Sequence, residues 1–198
     1  SVCGMMQHSD GPAAWTTYFD TRDANTSVAA ITAHGGNIIA PTMDVGALGR
    51  MALAQDPTGA VFGLWQPKSH HGAALINEPG AMSWHELWTR DAAQAIPFYQ
   101  AVLDRAVEKM PMPGMEYYTV KAENQMHAGM MPMPPHLPAA VPSHWLTYFA
   151  VGNADETSAR IKALGGTVTV EPFDVPFGRN GFARDRAGAS FAFIQLKG

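Results

Sequence analysis

Residues 14–19 read Ala-Trp-Thr-Thr-Tyr-Phe, and residues 144–149 read His-Trp-Leu-Thr-Tyr-Phe. The two stretches place Trp15 and Trp145 130 residues apart, and the pairs Gly35-Gly36 and Gly165-Gly166 have the same separation. A match that includes both aromatic residues and turn glycines indicates a duplicated supersecondary unit. The chain is therefore predicted to fold as a repeat.

The repeat ends in a common turn. Asp56-Pro57-Thr58-Gly59 is matched by Asp185-Arg186-Ala187-Gly188, after one deleted residue. In the first copy, residues 23–34 have the pattern of a helix that Asp23 caps and Gly35-Gly36 ends. The strand-like segments around this helix are residues 15–19, 37–40, 49–54 and 60–66. Each copy is thus predicted to run strand, helix, strand, strand, strand.

A third and more diverged copy lies between these two. Residues 83–88 resemble a first strand, and Asp91 stands at the cap position of a helix. Pro97 falls inside that helix, where we expect a kink or a reset. Residues 117–121 and 126–132 are the predicted later strands of this copy.

The start of the chain resembles the end of the third copy. Residues 2–6 (Val-Cys-Gly-Met-Met) are similar to residues 127–131 (His-Ala-Gly-Met-Met), which predicts a final strand whose unit lacks its first part. The alternative is a chance likeness over five residues. Because such units bury a sheet face against a neighbour, we expect a longer N-terminus or a second chain, as in a homodimer, to complete the first pair. The predicted domains are 1–79, which is incomplete, and 80–198, which holds two full units.

Composition narrows the class of protein. Hydrophobic residues make up 46% of the 198 residues, which suffices for a core, and no apolar run approaches the length of roughly 20 residues that a membrane-spanning helix needs. A formal charge of −4 without basic clusters argues against nucleic acid or an anionic membrane as partner. The single cysteine, Cys3, fits a reducing compartment, so we expect a soluble cytoplasmic protein.

These motifs resemble the vicinal oxygen chelate superfamily, the group of glyoxalases, bleomycin-resistance proteins and extradiol dioxygenases. The likeness covers nearly the whole chain and includes the start Trp84-His85-Glu86-Leu87-Trp88-Thr89-Arg90-Asp91 and the helix pair Phe98-Tyr99. A bacterial branch with four units per chain is indicated by Leu64-Trp65-Gln66-Pro67, His71-Gly72-Ala73, Asn77-Glu78-Pro79-Gly80, Asp44-Val45-Gly46 and Gly49-Arg50. The resemblance implies an α+β fold of βαβββ modules that pair into half-open barrels around a cavity. It does not fix the chemistry, because the family includes metal-dependent enzymes and proteins that only bind a drug.

Metal-dependent members of the family carry His or Glu ligands on the first and last strands. Carried over onto this sequence, those positions hold Trp84, Leu146 and Ala192 in the last two copies, and Thr16 and Gly63 in the first. None of these side chains is a ligand for a mononuclear metal centre, which needs about three His or carboxylate donors. We therefore expect no cofactor, while a divalent metal held by other residues stays open as an alternative.

Strand alternation predicts which side chains face the cavity. Trp84, Glu86 and Trp88 share one face, as do Leu146 with Tyr148, and Ala192 with Ile194. Desolvation between two tryptophans makes Glu86 a candidate catalytic base near neutral pH, and Tyr148 is a candidate hydrogen-bond donor to a ligand carbonyl. The alternative is that Glu86 pairs with an arginine such as Arg179 or with a backbone amide and is only structural. His85 has the opposite parity and is predicted to face away.

Methionine and proline are concentrated between residues 110 and 142. Flexible thioether side chains adapt to varied apolar ligands, so Met130 is a candidate ligand contact and residues 134–142 are a candidate loop over the cavity mouth. Arg50 and Arg179 each follow a loop that contains Asp44 or Asp174, which predicts a structural ion pair in both copies.

Two functions are consistent with the sequence. The first is metal-independent binding of a small hydrophobic or aromatic metabolite in the barrel cavity. The second is a lyase, isomerase or oxygenase of the glyoxalase type that uses Glu86 as base or a metal completed by an N-terminal segment. The lost ligand positions favour the first.

Overall fold

The computed structural model of the protein describes residues 3–7, 11–122 and 125–197, and in these residues three helices connect twelve strands. Three successive groups have the predicted order of strand, helix and three strands. The elements of the first group are β1 Tyr18–Asp20, α1 Ala24–Ala33, β2 Asn37–Val45, β3 Gly49–Gln55 and β4 Val61–Pro67. Those of the second are β5 Met82–Thr89, α2 Ala92–Leu103, β6 Ala106–Met112, β7 Met115–Ala122 and β8 Gln125–Pro132. Those of the third are β9 His144–Ala150, α3 Ala154–Ala163, β10 Thr167–Val175, β11 Gly178–Arg184 and β12 Ser190–Leu196.

The three groups have one sheet topology. Across the sheet the strands run β1-β4-β3-β2 in the first group, and the equivalent orders are β5-β8-β7-β6 and β9-β12-β11-β10. In each group the first strand is parallel to the last, and the other neighbours are antiparallel. The α+β fold of repeated βαβββ modules is therefore confirmed.

Several element boundaries differ from the predictions. Strand β6 was not predicted from the sequence, and β1 begins at Tyr18 rather than at Trp15 as predicted. Helix α2 continues through Pro97 as one element, so no reset occurs there. Cys3 to Met6 are not in a strand, and Val2, which belongs to the same predicted strand, lies outside the described residues.

Local chemistry explains why the repeats fold alike. Asp23, Asp91 and Asn153 each accept hydrogen bonds from backbone amides of the first helical turn and so cap the three helices. In the closing turns, Asp56 Oδ1 accepts from the amides of Thr58 and Ala60, and Asp185 Oδ1 accepts from those of Ala187 and Ala189. Gly59 and Gly188 follow at φ +100° and +95°, where a side chain would be strained.

The chain forms two compact units. The central unit comprises Thr16–Gly72 and His85–Trp145, and the C-terminal unit comprises Ser1–Trp15, Ala73–Trp84 and Leu146–Gly198. Strands β5 and β9 contribute residues to both units. The predicted domain boundary between residues 79 and 80 stays a prediction. No helix among the described residues is long and apolar enough to cross a membrane.

The core of the central unit surrounds α1 and α2. Tyr99 of α2 is fully buried, and its ring makes edge contacts with Phe62, Phe98 and Trp145. Its hydroxyl donates to Asp56 Oδ2 over 2.9 Å and accepts from Trp145 Nε1 over 2.7 Å. Burial and the neighbouring Asp56 carboxylate raise the pKa of Tyr99 well above its usual value, so the hydroxyl remains a donor. This network ties the closing turn of the first module to the helix of the second.

Substituting Tyr99 by Phe is expected to lower the free energy of unfolding by about 2–4 kcal/mol, because Asp56 Oδ2 and Trp145 Nε1 both lose a buried partner. Chemical denaturation at neutral pH measures this loss. Tyr118→Phe is the matched control, since its hydroxyl bonds to Glu116 at an exposed position, and its effect is expected to stay within about 0.5 kcal/mol. Equal effects of the two substitutions would contradict a structural role for the network.

His85 lies on the side of β5 that packs into the central unit, as its strand parity predicts. Its Nδ1 is 3.0 Å from Thr17 Oγ1. Burial lowers the pKa of His85 from 6.5 to about 4, because the charged ring loses its hydration. The imidazole is therefore neutral in the folded protein over the physiological range.

This pKa shift predicts acid sensitivity. As the pH falls below 6.5, His85 binds a proton in the unfolded chain, whereas in the folded chain it stays neutral until about pH 4. The free energy of unfolding therefore decreases by up to about 3 kcal/mol between these two pH values. His85→Gln is expected to flatten the dependence of unfolding free energy on pH over this window. The exposed His136→Gln serves as control and is expected to leave the dependence unchanged. An unchanged slope in His85→Gln would contradict a buried neutral imidazole.

Candidate functional site

The two faces of the sheet formed by β5, β8, β7 and β6 have different surroundings. Leu87 and Met130 belong to the core that packs against α2, together with Val120 and Val107. Glu86, Trp88 and Tyr117 have the opposite strand parity and lie on the face away from the helix. We call this the helix-free face.

Glu86 is the centre of a hydrogen-bonded cluster on the helix-free face. Its Oε1 accepts from Trp88 Nε1 over 2.6 Å, and its Oε2 accepts from Tyr117 Oη over 2.8 Å. Glu86 and Tyr117 are both 8% exposed, and Trp88 is half-buried. Two donors fix the orientation of the carboxylate and of the indole ring, so the cluster is preorganised. The sequence predicted Glu86 and Trp88 together, but it missed Tyr117.

Met130 does not lie on the face where the sequence analysis put it. The side chain is 1% exposed and packs in the helix-side core, directly beside Leu87 in the register. Its neighbour Met131 is half-buried and pairs with Trp88 in the register, so Met131 takes the predicted place beside the cluster. Met130 and Met131 are adjacent and point to opposite faces of β8, so moving the predicted contact by one residue places it on the helix-free face.

The proline-rich loop is attached to the end of β5. Arg90 donates from Nη2 to the carbonyl oxygens of Pro138 and Val141, and its backbone amide donates to Ser143 Oγ over 2.9 Å. The ring of His144, at the end of this loop, lies 5.8 Å from the ring of Trp88. Arg90 therefore positions residues 134–142 near the indole of the cluster.

The C-terminal unit has an equivalent face away from α3. Phe193 and Ala183 pack with Ala154 on the helix side, which places Ala192 and Phe182 on the other face. Tyr148 pairs with Ala192 in the register, and its ring makes an edge contact with Phe182 at 6.3 Å. Of the predicted lining residues, Tyr148, Ala192 and Ile194 lie on this face, where all three are buried. Leu146 is buried too, two residues before Tyr148 on β9, and Trp84 is half-buried on β5.

The register shows which positions are equivalent in the three modules. At equivalent positions of their first strands the three modules carry Tyr18, Glu86 and Tyr148. Each of these pairs with a small residue on the last strand of its module: Gly63, Gly129 and Ala192. At one common position of their third strands the modules carry Met51, Tyr117 and Asn180. Asn180 is 6% exposed and was missed, because the sequence analysis stopped at Gly178-Arg179 and did not extend the repeat along β11.

The two Asp–Arg pairs predicted from the repeat are structural. Arg50 Nε lies 3.6 Å from Asp44 Oδ1, and Arg179 Nη1 lies 3.1 Å from Asp174 Oδ1. Arg179 also pairs with Asp155 over 2.9 Å. Two surface depressions of about 390 and 320 Å³ in the C-terminal unit share the lining residues Gln195, Leu196 and Lys197, and the smaller one also includes Asp174 and Arg179.

The donor set at the family's metal positions does not fit a metal centre. Trp84, Leu146 and Ala192 offer no imidazole or carboxylate, and neither do Thr16 and Gly63. Within the described part of the chain, no three His, Cys, Asp or Glu side chains are grouped so that they could hold an ion. No chemical step is therefore assigned to a metal on these strands.

Known proteins resemble this chain in sequence. The profile described as Glyoxalase/Bleomycin resistance protein/Dioxygenase superfamily matches residues 81–193. "Putative glyoxylase CFP32" of Mycobacterium tuberculosis is 40% identical over 188 residues, which cover 93% of this chain and 70% of that protein. "Anthracycline biosynthesis protein DnrV" of Streptomyces peucetius is 37% identical over 194 residues, which cover 98% and 70%.

Solved structures share the fold. The 2,3-dioxygenase LapB from Pseudomonas sp. KL28 superposes with a TM-score of 0.59 at 14% identity, over 90% of this chain and 70% of that one. The Mn(II)-bound glyoxalase from Novosphingobium aromaticivorans also gives 0.59, at 16% identity, over 91% and 62%. Together with the profile match and the 40% identical relative, the repeated modules show that the chain belongs to the glyoxalase/bleomycin resistance protein/dioxygenase superfamily.

Proposed function

We propose that the protein binds a small aromatic molecule, without a metal ion, on the helix-free face around Glu86 and Trp88. The observation that carries this proposal is the double hydrogen bond to Glu86, from Trp88 Nε1 at 2.6 Å and from Tyr117 Oη at 2.8 Å. It holds an indole plane and a carboxylate in fixed relation before any ligand arrives. Binding then needs little reordering of side chains, so the free-energy cost of ordering them, which weakens affinity, is small.

The surroundings of the cluster suit a flat apolar ligand. Trp88 offers a ring for offset or edge stacking, which contributes roughly 0.5–1.5 kcal/mol beyond the burial of area. Met131 beside it has a flexible thioether that follows the outline of a ring system. The Glu86 carboxylate offers acceptor oxygens, so a ligand that carries a hydroxyl or N–H group would be preferred.

The relatives support an aromatic ligand of more than one ring. The Streptomyces relatives are named anthracycline biosynthesis proteins, and this chain covers 70% of their length at 37% identity. We propose a polycyclic aromatic metabolite as the ligand class. Leu146, Tyr148, Ala192, Ile194 and Trp84, which all belong to the C-terminal unit, remain ligand contacts predicted from the sequence.

Trp88→Leu and Glu86→Gln are each expected to weaken binding of 1,8-dihydroxyanthraquinone about tenfold, because one removes the stacking plane and the other the anionic acceptor. Isothermal titration calorimetry measures the dissociation constants. Trp65→Phe, on the separate sheet of the first module, is the matched tryptophan control and is expected to bind like the unchanged protein. Unchanged affinity in both cluster variants would refute the proposed site.

A second candidate function is catalysis with Glu86 as general base. The name glyoxylase in the mycobacterial relatives and the placement of a carboxylate between aromatic donors favour it. A base in this position would remove a proton from a carbon next to a carbonyl group of the bound substrate. Turnover of the methylglyoxal–glutathione hemithioacetal that disappears in Glu86→Gln would establish this function, and no turnover with or without added Mn²⁺ would exclude it for that substrate.

We also propose that, in the sheet β1-β4-β3-β2, the face that points away from α1 pairs with a module from a second copy of the chain. Tyr18, Met43 and Val61 are 39%, 48% and 42% exposed there, although large apolar side chains prefer burial. Strands β1 and β2 are the two edges of this sheet, and an edge strand is a template for further pairing. Because the chain repeats one module three times, a second copy brings a face of matching shape.

Met43→Glu is expected to dissociate such a dimer, because it replaces a methionine that pairing would bury by a charged side chain. Light scattering after gel filtration measures the mass in solution. Met126→Glu is the control, since Met126 is 52% exposed but lies on β8 outside this sheet. A monomeric mass for the unchanged protein at all concentrations would refute pairing with a second copy.

A further inference from the structure

Asn180 of β11 holds a buried polar atom that no group among the described residues satisfies. The residue is 6% exposed, and its Oδ1 has no hydrogen-bond partner in that part of the chain. Most buried side-chain oxygens accept at least one hydrogen bond, and an orphan of this kind is costly. Its presence therefore calls for an explanation outside the fold.

The orphan atom stands in an aromatic environment on the face away from α3. In the register, Asn180 lies between Phe173 of β10 and Ile194 of β12. Phe182 follows two residues later on the same face, and its ring contacts both Phe173 at 6.1 Å and Tyr148 at 6.3 Å. Phe173 is 40% exposed, so the row of rings reaches solvent on the β10 side.

The fold itself does not require a polar residue at this position. The equivalent positions in the other two modules hold Met51, which is apolar, and Tyr117, which donates to Glu86. In the first module this position of the third strand thus holds an apolar side chain, and in the second it holds a hydrogen-bond donor to Glu86. The amide oxygen of Asn180 differs from both, because it accepts no hydrogen bond from the described residues.

We infer that Asn180 Oδ1 accepts a hydrogen bond from the ring hydroxyl or N–H group of a planar aromatic ligand that stacks along Phe182 and Phe173. This is a binding position in the C-terminal unit, additional to the cluster at Glu86. It rests on a different observation, the orphaned acceptor, and it holds or fails independently of the proposed function. The ligand class is a planar aromatic that carries a hydrogen-bond donor at its edge.

Two probes that differ by methylation of the donor oxygen test this inference: 2-naphthol and its methyl ether, 2-methoxynaphthalene. Titrations use the Glu86→Gln protein as background, so that the carboxylate of the other cluster does not select the donor. This background is expected to bind 2-naphthol about tenfold more tightly than the ether, and adding Asn180→Leu is expected to abolish the preference while binding of the ether persists. Phe182→Leu is the matched control, expected to weaken both probes and keep their ratio.

Two further readouts separate a ligand acceptor from a structural asparagine. Asn180→Leu removes an unsatisfied buried oxygen, so the melting temperature of the ligand-free protein is expected to rise by about 2–4 °C. Asn180→Asp keeps an acceptor and is expected to keep the preference for 2-naphthol. A lower melting temperature in Asn180→Leu with an unchanged preference would show that the oxygen holds only a structural water and would overturn the inference. A preference that survives in Asn180→Leu, at any melting temperature, would also overturn it.

Discussion

The constraint on which the structure depends is that each sheet can place only one face under its helix. Leu87 and Met130 bury the helix side of the second module against α2, and Phe193 and Ala183 do the same in the third against α3. Burying these side chains supplies the main favourable free energy of folding. The opposite face takes no part in this packing, and it is the face on which we propose that a ligand binds.

The polar groups of the molecule have different roles on the two faces of the sheets. On the helix side, Tyr99 joins Asp56 and Trp145 in a buried network that connects residues of all three modules and has all its members paired. On the helix-free faces, the equivalent strand positions change from module to module, from Tyr18 to Glu86 to Tyr148, while the fold stays the same. Constant chemistry on one side and variable chemistry on the other is what a scaffold with different ligands in different members requires.

Sequence reasoning predicted the repeat, the three helices and the closing turns because these depend on local signals such as caps and glycines. It missed β6, where Pro111 and the charged pair Glu108 and Lys109 obscure strand alternation that pairing with β7 nevertheless stabilises. It located Glu86 and Trp88 by alternation within one strand. Tyr117 and Asn180 come from neighbouring strands, so only the register reveals them, and Met130 was misplaced by the one-residue step that separates two faces.

The central claim is that these faces bind an aromatic molecule without a metal ion. Native mass spectrometry of freshly purified protein, compared with the mass under denaturing conditions, tests it most directly. The account predicts that the native mass, divided by the number of chains in the assembly, equals that of the polypeptide or exceeds it by an organic molecule, with no divalent metal in stoichiometric amount. A stoichiometric metal that a chelator removes and that restores turnover on return would contradict it.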